Sequence, residues 1–157
     1  MTPADEIRAA ALRLRTLATA ASTDPDGTPT ANWHAHPRWP DDPDGSSLLY
    51  GDYLTREDGR TISWPLLNRG SSSQRMAHMH TQHADYAAAM DPTVGLALAD
   101  WLDSAAHHYE CGIRAADDVF HDDPAGHDAF LTTGPGAPST HALAVARAVL
   151  GTPEAQR

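Results

Sequence analysis

The chain has 157 residues and carries 21 acidic side chains against 11 basic ones, a formal charge of −10, and every base is Arg because there is no lysine. This excludes chemistry that depends on a lysine, such as a Walker A phosphate loop, a Schiff base or a kinase-type phosphate clamp. The acidic balance argues against nucleic acid and anionic membrane as partners, and the single cysteine, Cys111, excludes an intrachain disulfide framework. The expectation is one cytoplasmic domain over residues 1–151 with a short tail at 152–157, since no apolar run has the roughly 18 residues a membrane span needs and the first residues lack a signal-peptide pattern.

In chain order, residues 2–21 read as a helix. Thr2 is placed to cap it, Pro3 suits the first helical position, and Asp5 lies three residues beyond the cap. Ile7, Ala10, Leu14, Leu17 and Ala21 form the expected inward stripe. Asp24-Pro25-Asp26-Gly27 and Asp42-Pro43-Asp44-Gly45 are turn tetrapeptides. Neither is a calcium loop, because the position where an EF-hand needs a bidentate Glu holds Trp33 in one case and Gly51 in the other. Between the turns, Trp33 and Ala35 alternate with His34 and His36, which suggests a short strand at a sheet edge, where Pro37 and its missing donor are tolerated. Residues 48–54 and 61–67 suggest two more strands, joined through Asp58-Gly59 as a hairpin.

Residues 74–90 carry Met76, Met79, His83, Tyr86 and Met90 at helical spacing, and Asp91-Pro92 stops that helix and starts another over 92–111. In the second helix the run from Val94 to Ala99 is apolar nearly all round, so it is expected to be buried centrally, with Gly112 as the stop. Residues 115–138, rich in Asp, Gly and Pro, read as a long loop. Ser139 or Thr140 caps a final helix over 140–150 that ends at Gly151. The expected fold class is α+β: four helices packed on a small antiparallel sheet drawn from residues 31–67.

Three segments together carry a family resemblance. They are His83-Ala84-Asp85-Tyr86-Ala87-Ala88-Ala89-Met90-Asp91-Pro92 running into Val94–Asp103, the closing stretch Ala142–Gly151, and the N-terminal Leu/Arg/Ala helix. They resemble small proteins of streptomycetes and actinobacteriophages whose function is unknown, and the helical pair is loosely similar to an early-region accessory family of lambdoid phages. An Ala- and Asp-rich composition without lysine fits GC-rich coding of that kind. The resemblance implies a phage- or mobile-element-associated accessory protein that binds rather than transforms. It supplies no catalytic residue.

Ten histidines are the compositional oddity. On the two central helices, His80 and His83 are placed one turn apart, while Asp103, His107 and Cys111 form a row at i, i+4. Opposed, His80, His83, His107 and Cys111 would make an N/S tetrahedral set suited to zinc, although no zinc signature spacing is present. His78 points to a different side from His80 and is a poor further ligand. Carboxylates beside His121 suggest general-base or cation-holding chemistry only weakly. The leading expectation is therefore a non-enzymatic protein that works through an unknown protein partner or self-association, with Trp33, Trp39 and Tyr53 as its contact surface. The alternative is a metal-dependent hydrolase using the four-residue set.

Overall fold

In the computed structural model the described residues are 1–23, 27–38, 41, 45–55, 57–67 and 79–152. Among these residues five helices and a small antiparallel sheet make an α+β fold, as the sequence implies. The elements are α1 (Pro3–Ala21), β1 (His34–Pro37), β2 (Ser46–Thr55), β3 (Thr61–Pro65), β4 (Met79–His80), α2 (Thr81–Ala89), α3 (Pro92–Val119), α4 (Pro124–Thr132) and α5 (Thr140–Leu150). They fall into two compact units, one of residues 1–16 and 97–157, the other of residues 17–96, with the boundaries inside α1 and α3.

The first unit is helical. Ile7, Ala10 and Ala11 of α1, Leu102 and Ala106 of α3, and Ala142 and Ala146 of α5 form its fully buried core, with Leu14, Leu143 and Val149 packed around them. So much alanine lets the helices approach closely, and the polar rim then fixes their register. Arg8 makes a two-pronged ion pair with Glu110, Arg15 reaches Asp100 at 2.6 Å and Asp103 at 2.9 Å, and Arg147 Nε meets Glu6 at 3.1 Å. The start of α1 is a reciprocal capping box. Asp5 N–H donates to Thr2 Oγ1 at 3.2 Å, and Thr2 N–H returns to Asp5 Oδ2 at 3.0 Å. The Thr2 hydroxyl, which donates to Asp5 Oδ2 at 2.7 Å, and then the Thr2 N–H hold the Asp5 carboxylate below its usual pKa range.

The segment expected to be a loop, 115–138, is largely helical. Gly112 does not stop α3, which continues to Val119; its missing side chain instead lets residue 136 lie against the helix, since a Cβ on Gly112 would come 3.1 Å from Gly136 Cα. Asp123 then caps α4, accepting from Gly126 N–H at 3.0 Å, and Pro124 takes the first-turn position that wants no donor. The Asp, Pro and Gly that suggested a loop are the cap signals of a short helix. At α5, Ser139 caps the start and Gly151, at φ 71°, ends it.

The second unit is a sheet with helical cover. β2 pairs antiparallel with β1 on one side and with β3 and the short β4 on the other. Along β2, Ser47 and Leu49 are buried and Gly51 packs on Thr30, so these residues line the inner face. A chain of hydroxyls ties α2 to that face: Ser47 Oγ donates to Thr81 Oγ1 at 3.0 Å, and Thr81 donates to Gly45 O at 2.9 Å.

Several expected faces are corrected. Residues 79–80 pair with β2 as strand β4, so α2 begins at Thr81 and His80 is its N-cap. Of the expected stripe, His83, Tyr86 and Met90 are exposed, Tyr86 at 70%, Met79 is half-buried on β4 and Met76 lies outside the described residues; Ala84 is the fully buried residue of α2. An alanine lets the helix lie close to its neighbours, where a tyrosine would hold it off. In α1 the inward face holds Ala4, Ile7, Ala10, Ala11, Leu14 and Ala18, so the expected Ile7, Ala10 and Leu14 are covered while Leu17 is exposed and Ala18 is buried beside it. The start of α3 is not buried all round, since Val94 and Ala97 are exposed and Ala99 is buried.

Candidate functional site

The outer face of β1 and β2 gathers Tyr50 and Tyr53 with His34 and His36. Antiparallel register sets His34 opposite Tyr50 and His36 opposite Leu48, so alternation puts His34, His36 and Tyr50 on the face away from Ser47 and Leu49. Strict alternation would then send Tyr53, an odd number of residues beyond Tyr50, to the inner face. A β-bulge prevents it. Tyr50 pairs with Pro65 and Tyr53 with Ser63, three steps on β2 against two on β3, so β2 holds one extra residue and Tyr53 is turned outward.

The result is a stacked plate. The His34 ring lies 4.4 Å from Tyr53, centroid to centroid, at an interplanar angle of 19°, and 5.6 Å from Tyr50 at 22°. His36 meets Tyr50 edge-on at 6.5 Å. Tyr53 is nevertheless 64% exposed, so one ring rests on the plate while its other side faces solvent. Burial holds His34 below its usual pKa, the nearby His36 adds to this, and the Asp52 carboxylate opposes it; His34 is therefore neutral at pH 7. Asp52 is itself fixed, accepting from Asn32 Nδ2 at 2.5 Å. Gly51, inside the bulge, lets Thr30 approach the inner face, and Thr30 is pinned in turn by its Oγ1 bond to Ala21 O at 2.7 Å.

Of the expected contact residues, Tyr53 belongs to this plate. Trp33 lies just before β1 and is partly buried, and its indole N–H is buried without a hydrogen-bond partner among the described residues. Trp39 lies outside the described residues, as does His78.

The metal candidates form two pairs, one in each unit. His80 on β4 and His83 on α2 have ring centroids 6.0 Å apart. On α3, His107 Nε2 is 3.5 Å from Cys111 Sγ, which also accepts from Arg114 Nη2 at 3.0 Å. Asp103, the expected third member of that row, is engaged by Arg15 instead. Among the described residues no group of three or more His, Cys, Asp or Glu side chains converges as a metal site. Near the end of α3, His127 Nε2 meets Asp117 Oδ1 at 2.9 Å and His121 meets its neighbour Asp122 at 2.7 Å, both on the surface. An open cleft of about 330 Å³ lies beside Trp101, His108 and Tyr109 of α3, closed on its other side by residues 135–137 and Ser139.

Sequence reasoning named Tyr53 as a contact candidate and set His34 and His36 on one side of a strand. It missed that Tyr50 and Tyr53 share their face, because no residue pattern in 46–55 announces the extra residue of a bulge. No helix among the described residues is long and apolar enough to cross a membrane. No protein-family model, curated protein or solved structure matches the chain.

Proposed function

We propose that this chain is a non-enzymatic accessory protein, associated with phages or mobile elements, that acts by protein–protein contact. The observation that carries the reading is Tyr53: a large aromatic side chain, 64% exposed, that is nonetheless held in place by stacking on His34 at 4.4 Å. An aromatic group ordered before binding loses little side-chain freedom on association, which is why rigid Tyr and Trp anchors dominate interface energetics. The phage association rests on the resemblance of the paired helices and of residues 142–151.

The test is capture from the native host with wild-type and variant baits. A specific protein held by the wild type and by Leu12→Ala, but lost from Tyr53→Ala and His34→Ala with unchanged circular dichroism, supports the reading. Equal capture by Tyr53→Ala refutes the assignment of this face, and the absence of any saturable partner or self-association refutes the binding reading itself.

A second reading, a zinc-dependent hydrolase, has one observation in its favour, the 3.5 Å approach of His107 Nε2 to Cys111 Sγ. About one zinc per untagged chain, lost in His107→Ala, would favour it over the first; elemental mass spectrometry reads this directly.

A further inference from the structure

We propose that the outer face formed by His34, Tyr50 and Tyr53 binds a guanidinium group, presented on an arginine-bearing segment of a protein partner. The inference rests on the contact reading above and names the chemistry of the partner.

Three features of this face and its surroundings lead to it. The first is shape: His34 and Tyr53 are within 19° of parallel, so the exposed side of Tyr53 offers a flat ring backed by a second ring. A planar group can lie against it over its whole area, and guanidinium is the planar cation among side chains. The second is electronic. Aromatic faces carry the negative side of the ring quadrupole, and a neutral His34 leaves the plate without a positive charge to repel a cation. The third is charge. Asp52 acts electrostatically on His34, and among the described residues its carboxylate receives the two Asn32 donors, which leaves acceptor capacity for an incoming N–H.

The wider field has the same sign. Residues 17–96 hold ten acids (Asp24, Asp26, Asp41, Asp42, Asp44, Asp52, Glu57, Asp58, Asp85, Asp91) and five Arg, half of the chain's formal −10. An acidic or nucleic-acid partner would meet repulsion across the whole approach, whereas a cationic segment is drawn in. Lysine would feel the same field, but its compact, strongly hydrated ammonium gains less from a flat ring. Arginine is therefore expected to be preferred.

The test uses the intact chain and three acetylated repeat peptides of equal length, built from Arg-Gly, Lys-Gly or Glu-Gly, at one ionic strength. Binding is followed by isothermal titration and by the ring resonances of His34 and Tyr53. The expected result is that the Arg peptide binds about two- to fivefold tighter than the Lys peptide, the range of an exposed cation–π contact, and moves both ring resonances. Tyr53→Ala should lose that margin and Tyr53→Phe should keep it, since the flat face and not the hydroxyl is invoked.

Equal affinity for Arg and Lys peptides, or a preference unaffected by Tyr53→Ala, overturns the proposal by reducing the effect to bulk charge. Tyr53-dependent dimerisation in sedimentation, with no peptide preference, also overturns it and gives the face to a second copy. The two readings fail separately: a host partner captured through Tyr53 while the peptides show no Arg preference removes the guanidinium assignment alone.

Discussion

Replacing Gly51 with Ala tests the link between the inner packing of β2 and its outer aromatic plate. Two effects oppose each other. Alanine in place of glycine within a strand gains about 0.5–1 kcal/mol through reduced freedom of the unfolded chain. Against this, the new Cβ would sit 3.1 Å from both Cα and Cβ of Thr30 and 3.2 Å from its Cγ2. All three are inside the roughly 3.5–4.0 Å of optimal carbon contact. Thr30 has little room to move, being 2% exposed and held by Oγ1 to Ala21 O at 2.7 Å and by its N–H to Ser22 O at 2.8 Å. Overpacking of this kind costs about 1–3 kcal/mol, so the net effect should be a loss of about 1 kcal/mol. Urea unfolding followed by tryptophan fluorescence should then show a midpoint lowered by about 0.5 M, taking m near 2 kcal/mol/M. Because Gly51 lies within the bulge, the His34 ring resonance should also shift as the stack with Tyr53 loosens. An unchanged or raised midpoint would refute the argument, showing that Thr30 does not set the position of β2.

Leu102→Ala should destabilise the helical unit by about 2–5 kcal/mol, because Leu102 is fully buried among alanines that offer nothing to fill the space, while Leu12→Ala, 66% exposed, should stay within about 0.5 kcal/mol; thermal unfolding compares them. Thr2→Ala removes the hydroxyl that accepts from Asp5 N–H and donates to the Asp5 carboxylate, leaves the backbone arm of the capping box in place, and should cost about 1 kcal/mol by the same measurement. Acidification should weaken the sheet unit through His34. Its folded pKa lies below the ordinary value near 6.5, so between the two the unfolded chain binds the extra proton and stability falls as the pH drops, with no contribution above that window. Unfolding midpoints measured across this range should show a shallower slope in His34→Gln, and an identical slope would exclude His34 as the source.

Local signals were legible wherever the chemistry itself is local. Thr2 with Asp5, Asp91 before Pro92, Ser139 and Gly151 mark helix ends because a side-chain oxygen or a left-handed glycine acts within a few residues of its own position; Asp91 Oδ1, for example, accepts from Val94 N–H at 2.9 Å. The strand positions of β1, β2 and β3 and the α+β class followed from alternation and turn residues in the same way.

What the sequence could not decide was which face of each element would be covered. Apolar character names Leu17, Tyr86 and Met90 as readily as Ala18 and Ala84, yet the alanines are inside, because close packing depends on the distance available between elements and not on hydrophobicity alone. The same holds for Gly112, which reads as a helix stop but serves as the gap against which Gly136 rests. The outward turn of Tyr53 is the clearest case. Its identity and exposure were within reach of the sequence, but its place on His34 depends on one extra residue between Tyr50 and Tyr53, and that count is set only by how β2 pairs with β3.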